Sequence, residues 1–468
     1  MHEAIRETIE YLSKKVPYSG GAVYAFRDGK TVEKSCFGYQ DIAAQKPVTE
    51  ETLFQIASMS KSFCTVLISM LADEGLLDWD KPVKYYWPEY HSYDPYVTEH
   101  MTLTDLACHR SGVCSHNKQR FSMFDNGAMD LKNMAERTLD LAPCFGFRER
   151  FAYQNEMYGI LGYLAERVTG KTYYELLQER IAKPVGMEIQ YRAVIREDET
   201  RYAVGYELPN LRLTPVDPHK VAPCTVCAGG VVTNLNGIEK WIRFLAAGCV
   251  TEDGQRLLSK KAYEKLIHPI LYWGQPQAPD RRKLYALGLA PSVYRGEKLV
   301  YHGGVLMGFR SAMGFFEEKN SGYVIMMNCA SQPYSALKVV LCDIALDRVQ
   351  ENYHKECDET LSPFLAKKDF EALCLPKRDV TEEDRKQYRF DGTFTNPAYG
   401  DMTFSYEGED RLRISYANDA DEFALYRGNG IFQAASSPIT DVRYAEDGNS
   451  LIFSKCEFYS PDVFTRKA

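Results

Sequence analysis

The sequence has no long uncharged apolar run, and this absence excludes several classes of protein. Its longest such run, "SGYVIMMNCA" from Ser321 to Ala330, has the length of a strand, whereas a membrane-spanning helix needs about 20 apolar residues. The N-terminal stretch mixes charges of both signs with apolar residues, unlike the apolar centre of a signal peptide. We therefore predict neither a membrane span nor export, and we expect a cytoplasmic protein.

Basic blocks and paired cysteine spacings are also missing. The 56 Lys and Arg and 64 Asp and Glu residues give a net charge of -8 and are spread along the chain, so nucleic acid is not an expected partner. The 13 cysteines lack a framework spacing and suit a reducing compartment. Cys224 and Cys227 have no second Cys/His pair beside them, so we expect ordinary thiols, no metal site and no cofactor.

The chain does contain enough apolar residues for a large core, since 45% of its 468 residues are hydrophobic. Strand signals come first, helical stretches dominate from Ser58 to about Asn236, and strand signals then return before a closing helix. This order predicts an α+β domain over residues 1–350, an antiparallel sheet flanked by helices with an inserted helical domain. Residues 351–387 are predicted to form a charged helical linker, and the short alternating strands of 388–468 indicate a small antiparallel β-barrel.

A polar step interrupts the apolar stretch "FQIASMSKSFCTVLISML". Ser58 and Lys61 lie three residues apart, which places them on one face of a helix and within reach of each other. Ser58 is then either a helix cap followed by a solvated lysine, or a nucleophile activated by a lysine whose pKa burial has lowered. The spacing alone does not decide, because it recurs at Ser115–Lys118 and Ser335–Lys338.

Two further stretches supply groups that such a serine needs. Tyr153 and Asn155 precede a predicted helix, where a tyrosine can carry a proton and an asparagine amide can hold a substrate carbonyl. His302, Gly303 and Gly304 lie on a predicted strand, where two missing side chains let a substrate lie against the backbone. Taken alone, Tyr153 is more simply a core aromatic residue, and the His-Gly-Gly stretch is more simply a tight strand end.

In this order the three elements resemble the motif set of the serine β-lactamase and penicillin-binding protein superfamily. The most similar branch includes class C β-lactamases, DD-peptidases, D-aminopeptidases and esterases, in which the second element is Tyr-x-Asn. Stretches such as "MTLTDLACHRSGV" and "AGGVVTNLNGIEKW" also look like this family, and the resemblance extends from about Gly20 to Val349. It implies the β-lactamase-like fold for residues 1–350, followed by a lipocalin-like barrel.

The resemblance also implies a role for each motif residue. Ser58 would form an acyl-enzyme, Lys61 would ease its deprotonation, and Tyr153 would serve as general base and then as general acid. The groups implied to bind the substrate or its oxyanion are Asn155, His302, Gly303, Gly304 and the backbone N–H groups of Ser58 and Val305.

His302 and Gly303 stand where β-lactam-recognising relatives carry lysine and threonine. A histidine is mostly neutral at pH 7 and glycine has no hydroxyl for a substrate carboxylate, so we expect weak β-lactamase activity at most. The sequence predicts a serine hydrolase for a small ester, amide or peptide, including substrates that contain D-amino acids. A non-catalytic binding or scaffold member of the same fold is the alternative, and acyl transfer to an alcohol or amine also stays open.

Overall fold

The structure is a computed structural model that describes most of the chain. The described residues are 1–113, 130–191, 199–208, 212–216, 226–273, 284–306, 308–330, 333–366, 378–396, 400–416, 420–434, 441–445, 447–454 and 462–467. One predicted feature, the Ser115–Lys118 pair, lies outside them.

The described residues preceding the barrel contain strands β1 to β14. They are Gly20–Arg27 (β1), Lys30–Asp41 (β2), Lys46–Pro47 (β3), Phe54–Gln55 (β4), Gln190–Tyr191 (β5), Tyr206–Glu207 (β6), Thr214–Pro215 (β7), Val231–Thr233 (β8), Leu271–Tyr272 (β9), Leu284–Tyr285 (β10), Ala290–Tyr294 (β11), Glu297–Leu306 (β12), Phe309–Phe316 (β13) and Ser321–Met327 (β14).

The described helices are labelled α1 to α14. They are Glu3–Ser13 (α1), Ser60–Asp73 (α2), Val83–Tyr86 (α3), Pro95–His100 (α4), Leu103–Ala107 (α5), Leu131–Thr138 (α6), Glu156–Thr169 (α7), Tyr173–Leu177 (α8), Lys183–Val185 (α9), Leu235–Ala246 (α10), Lys260–Ile267 (α11), Pro333–Leu346 (α12), His354–Ala366 (α13) and Glu382–Gln387 (α14). A 3-10 turn covers Ala57–Met59, and π-helical turns cover Gln178–Ala182 and Val226–Gly230.

A seven-stranded antiparallel sheet brings the two ends of the first domain together. Its strand order is β11-β12-β13-β14-β1-β2-β3, and β1 pairs with β14 in the register Val23 to Ile325. The helices from α2 to α11 are inserted between these early and late strands. The structure therefore confirms the predicted α+β fold with its inserted helical region.

Helices cover both faces of this sheet, because side chains alternate between the two faces along each strand. Val23 and Ala25 of β1 pack in a cluster with Ile5 of α1 and Leu341 of α12. The intervening Tyr24 packs on the opposite face, in the cluster that contains α2 and α10. The sheet therefore lies between α12 and α2.

Helix α2 lies deep inside the domain. Every residue from Ser60 to Leu71 is buried, including Lys61 and several serines. The ring of Phe63 stacks on Trp241 of α10 at 3.9 Å between centroids. Any charged side chain near the start of α2 is therefore removed from water.

The predicted linker, residues 351–387, packs through its two ends. Helix α13 covers the start of the chain, because its Cys357 and Leu361 are buried in a cluster with Leu12 of α1. At the other end, Asp384 of α14 accepts a hydrogen bond from the Tyr426 hydroxyl at 2.7 Å. The described parts of this segment therefore contact the elements on either side of it.

The last part of the chain is a closed barrel of eight antiparallel strands, which confirms the predicted β-barrel. The strands are Gly392–Asn396 (β15), Gly400–Glu407 (β16), Arg411–Tyr416 (β17), Ala420–Gly428 (β18), Ile431–Ala434 (β19), Asp441–Tyr444 (β20), Ser450–Ser454 (β21) and Asp462–Arg466 (β22). Its buried side chains include Phe394, Phe404, Leu412, Phe432 and Leu451. Closure leaves no unpaired strand edge.

Eight described cysteines, Cys227 among them, form no disulfide, while Cys224 lies outside the described residues. Cys144 is disulfide-bonded, which the cysteine spacing did not predict. The described residues contain no group of three or more His, Cys, Asp or Glu side chains placed to hold a metal ion. None of the helices described is long and apolar enough to cross a membrane.

Candidate active site

Ser58 lies in a 3-10 turn that the fold holds rigidly. Between Thr52 and Leu71 it is the one residue that is not buried. The neighbouring Ser60 hydroxyl donates to the Ala57 carbonyl at 2.6 Å and accepts from the Val231 N–H at 3.1 Å. Ser60 therefore fastens the turn, while Ser58 is partly exposed.

Ala57 gives this turn its direction. Its φ of +48° lies in the left-handed region, which residues other than glycine adopt rarely and at a cost of about 1 to 2 kcal/mol. Strain of this kind persists where the surrounding structure enforces it, and it is common at active sites. This conformation could not be predicted from the sequence, because alanine rarely adopts a positive φ.

Lys61 is fully buried and is surrounded by hydrogen-bond acceptors. Its Nζ lies 3.3 Å from Ser58 Oγ, 2.6 Å from Asn155 Oδ1 and 2.9 Å from the Ala228 carbonyl oxygen. Burial lowers the pKa of Lys61 from its ordinary value near 10.5 to about 7. Near neutral pH, Lys61 can therefore exist both with and without its proton.

Tyr153 and Asn155 reach Lys61 from the N-terminus of α7. Asn155 occupies the N-cap position but makes no side-chain cap, although asparagine commonly caps helices there; its Oδ1 instead accepts from Lys61. The Tyr153 ring centroid lies 4.6 Å from Lys61 Nζ. Burial raises the pKa of the Tyr153 hydroxyl, and a hydrogen bond with the Ser58 side chain opposes this rise.

Strand β12 packs closely, at Gly304, against the turn that carries Ser58. A Cβ on Gly304 would lie 2.2 Å from Ser311 Oγ and 2.4 Å from the Ile56 carbonyl oxygen, and these two atoms are themselves hydrogen-bonded at 2.7 Å. By contrast, a Cβ on Gly303 would meet nothing nearer than 3.7 Å. Val305 follows on the same strand and is 60% exposed.

His302 is buried beside the site and makes two hydrogen bonds through its ring. Its Nδ1 lies 2.6 Å from the Gly303 carbonyl oxygen, which can only accept, so Nδ1 carries the proton and Nε2 accepts from the Tyr285 hydroxyl at 2.9 Å. Burial, together with the charge of Lys61, lowers the pKa of His302 to about 3. His302 is therefore a neutral side chain at any physiological pH.

The structure thus brings Ser58, Tyr153 and Asn155 together around Lys61. It also places Gly304 against the turn that carries Ser58. Sequence reasoning assigned no role to Ala228, whose carbonyl accepts from Lys61 across 167 positions in the chain. This carbonyl belongs to a π-helical turn, a feature often found at functional sites. The stretch "AGGVVTNLNGIEKW" contains Ala228 and was part of the resemblance, but a backbone carbonyl has no sequence signature.

The repeated Ser-x-x-Lys spacing has a different setting at Ser335. Ser335 and Lys338 lie on α12, whose buried residues pack against the face of the sheet opposite to α2. This pair is therefore separated from the Tyr153 region by the sheet. It provides a natural control for the proposed nucleophile.

The sequence profile of the family described as Beta-lactamase matches residues 5–338. The chain belongs to the beta-lactamase family. This confirms the resemblance and the prediction of a β-lactamase-related serine hydrolase.

Two curated proteins are similar to this beta-lactamase family chain at low sequence identity. "Unguisins hydrolase ungD'" of Aspergillus campestris is 23% identical over 406 residues, which cover 80% of this chain and 72% of that protein. A "D-aminopeptidase" of Brucella anthropi is 27% identical over 324 residues, which cover 66% of this chain and 56% of that protein. The match therefore spans only just over half the length of the D-aminopeptidase.

Solved structures resemble this beta-lactamase family chain in fold. The octameric penicillin-binding protein homologue from Pyrococcus abyssi is 20% identical, with a TM-score of 0.63 and coverage of 98% of both chains. The D-amino acid amidase from Ochrobactrum anthropi SV3 is 22% identical, with a TM-score of 0.61 and coverage of 74% of this chain and 97% of that chain. At these identities the likeness concerns the fold alone.

Proposed function

We propose that the protein hydrolyses small amides or peptides, with D-amino-acid amides as the favoured class, through an acyl-enzyme on Ser58. The observation that carries this proposal is the contact between Ser58 and a buried Lys61 whose pKa is about 7. Relatives named D-aminopeptidase and D-amino acid amidase support the amide class. Small esters remain the second substrate class, because the same acyl-enzyme forms from either.

The acceptors around Lys61 favour it as the base. A neutral amine has two N–H donors and one lone pair. If the two donors go to Asn155 Oδ1 and the Ala228 carbonyl, the lone pair is left for the Ser58 hydroxyl proton. Tyr153 is less suited to start the reaction as a phenolate, because burial raises its pKa. As a neutral hydroxyl, however, it can donate a proton.

The proposed reaction has two halves. In the first, Ser58 Oγ passes its proton to Lys61 and bonds to the substrate carbonyl carbon, while the backbone N–H groups of Ser58 and Val305 stabilise the oxyanion. The C–N bond then breaks as the leaving nitrogen takes a proton from Tyr153, which Lys61 restores. In the second half, water attacks the ester, the acid is released and Ser58 regains its proton.

The neutral His302 and the glycine at 303 shape the substrate preference. With the pKa of His302 lowered to about 3 by burial, this part of β12 presents no cation to a substrate carboxylate. A substrate that ends in an amide or ester meets no penalty there, whereas a penicillin or a C-terminal carboxylate loses an ion pair. We therefore propose an amidase or aminopeptidase specificity, with penicillins as poor substrates.

A non-catalytic binding role is the alternative, but no described contact favours it, since Ser58, Lys61, Tyr153 and Asn155 lie together. The experiment that tests the proposal is intact-protein mass spectrometry after incubation with a fluorophosphonate, followed by peptide mapping. D-alanyl p-nitroanilide, its L-isomer, p-nitrophenyl acetate and a penicillin are then compared as substrates. We expect a single adduct on Ser58 and fastest turnover of the D-anilide.

Ser58→Ala should abolish both the adduct and turnover without changing the melting temperature. Ser335→Ala is the matched control, because it has the same Ser-x-x-Lys spacing on the other side of the sheet, and it should retain both. An adduct elsewhere, or turnover that survives Ser58→Ala, would overturn the proposed function.

A further inference from the structure

His109 is a buried residue that the proposed reaction does not use. It follows α5, is 0% exposed and has a φ of +61°. Histidine, asparagine and aspartate adopt this left-handed region more readily than most other residues. An imidazole held inside the protein in a costly backbone conformation calls for a physical reason.

The described contacts of His109 fall on both sides of Tyr153. Its Nδ1 accepts a hydrogen bond from the Gln154 N–H at 3.0 Å, and its carbonyl oxygen accepts from the Ala152 N–H at 2.8 Å. One residue therefore holds the backbone immediately before and immediately after Tyr153. The two contacts fix the direction in which the Tyr153 side chain leaves the chain.

The imidazole ring also packs on Tyr153 itself, with 4.3 Å between the ring centroids. Phe151, Tyr158 and Tyr285 have their centroids between 5.1 and 5.3 Å from the same ring. Because Nδ1 accepts, the neutral ring carries its proton on Nε2, which is buried with no hydrogen-bond partner among the described residues.

Burial lowers the pKa of His109 well below its ordinary value, and the charge of the nearby Lys61 acts in the same direction. The ring therefore stays neutral, and Nδ1 remains available as an acceptor. A buried donor left without a partner destabilises the folded state, so the fold retains this residue against a local cost.

We propose that His109 is a positioning residue that holds the Tyr153 hydroxyl where it can protonate the leaving group. This inference rests on the proposed function, because it concerns the proton-donor step of the same reaction. It predicts a defect only where the leaving group needs a proton. An anilide leaves as an amine and needs that proton, whereas p-nitrophenolate leaves without one.

Two substitutions at this position separate the acceptor from the backbone strain. His109→Asn keeps an oxygen near the place of Nδ1, and both asparagine and glycine tolerate a positive φ. His109→Gly removes the acceptor without adding strain, so the difference between the two variants measures the hydrogen bond to Gln154. His109→Leu fills the space of the ring without an acceptor but adds the strain of a positive φ, so its rates are compared with its thermal unfolding and not directly with those of the asparagine variant.

The test compares kcat for D-alanyl p-nitroanilide and for the p-nitrophenyl ester of D-alanine, which share one acyl group. In His109→Gly we expect the anilide rate to fall on the order of 10- to 100-fold, while the ester rate changes less than about threefold. His109→Asn should recover most of the lost anilide rate. In a Tyr153→Phe background, His109→Gly should cost nothing further, since the two residues act as one unit.

An equal loss for both substrates, or equal rates in the asparagine and glycine variants, would overturn the positioning role. These outcomes differ from failure of the proposed function, which appears in the unmodified protein as the absence of a fluorophosphonate adduct on Ser58. Thermal unfolding of each variant, measured alongside, shows that the assays are made on folded protein.

Discussion

At the scale of single residues, the environment of Lys61 sets its protonation state. Leaving water disfavours the charged form of an amine, and this places its pKa at about 7 instead of several units above neutrality. The three acceptors around Nζ keep the side chain satisfied in either protonation state. A lysine at the protein surface would hold its proton and could not accept one from Ser58.

The first prediction concerns pH. The proposed mechanism uses the neutral form of Lys61 as the base, so it predicts that the rate of Ser58 acylation rises with pH through about 7 and then levels off. Stopped-flow kinetics with a p-nitrophenyl ester between pH 5 and 9 measure this profile. Lys61→Arg should remove acylation, because arginine does not give up its proton, whereas Lys338→Arg should leave the profile unchanged. A flat profile would contradict the assignment of the base.

The second prediction concerns His302, whose pKa is lowered to about 3 by burial. Between pH 5 and 8 this residue does not change its charge, so it cannot begin to attract a substrate carboxylate as the pH falls. The ratio of kcat/KM for D-alanine amide to that for D-alanyl-D-alanine should therefore stay constant over this range. A ratio that shifts toward the dipeptide on acidification would show that His302 becomes charged.

At the scale of elements, the site depends on how closely β12 approaches the turn that carries Ser58. The Ser311 hydroxyl donates to the Ile56 carbonyl at 2.7 Å and so links β13 to this turn. Gly304 lies at the same junction, where its missing side chain allows the contact. The oxyanion hole proposed above uses the N–H of Ser58 in the turn and the N–H of Val305 on β12. Its geometry therefore depends on how closely β12 packs against the turn.

The third prediction follows from this packing. Gly304→Ala places a methyl group 2.2 Å from Ser311 Oγ and 2.4 Å from the Ile56 oxygen, so the strand and the turn must separate. Overpacking of this kind costs about 1 to 3 kcal/mol, and it should also slow acylation. Gly303→Ala, whose Cβ meets nothing nearer than 3.7 Å, is the control for stability. Equal melting temperatures for the two variants would contradict this account.

At the scale of the whole molecule, the two ends of the segment predicted as a linker pack against different parts of the protein. Helix α13 contributes Cys357 and Leu361 to a core shared with Leu12 and Val16, and Lys15 forms an ion pair with Asp358. Residues beginning at Arg378 instead contact the barrel, where the Arg378 N–H donates to the Tyr426 carbonyl at 3.0 Å. We propose that the first domain extends to Ala366 and does not end at residue 350.

The fourth prediction tests this limit with two truncated chains. A chain that ends at Ala366 should fold and give the Ser58 adduct, because it keeps α13 in place. A chain that ends at residue 350 should lose about 3 kcal/mol of unfolding free energy, since it removes two buried side chains from the cluster around Leu12. Urea unfolding measures the difference. Equal stability of the two chains would restore the limit at residue 350.

Much of the local structure could be predicted from the sequence, because its causes lie close together along the chain. Three-residue spacing places Ser58 and Lys61 on one helical face, and their side chains lie 3.3 Å apart in the structure. The alternating short strands of the last segment predicted the barrel. The same spacing at Ser335 shows the limit of this reasoning, because a local pattern does not say which face of the sheet its helix will cover.

By itself, the sequence determined the family, the order of strands and helices, and the residue types that could carry the chemistry. Only the tertiary structure decided which of them act together, because burial and long-range contacts set their properties. Lys61 owes its lowered pKa to the core around α2, and its contact with the Ala228 carbonyl spans 167 positions. His109 likewise reaches Gln154 across 45 positions. Spacing along the chain could not reveal either contact, because each one depends on a backbone group that almost any residue can supply.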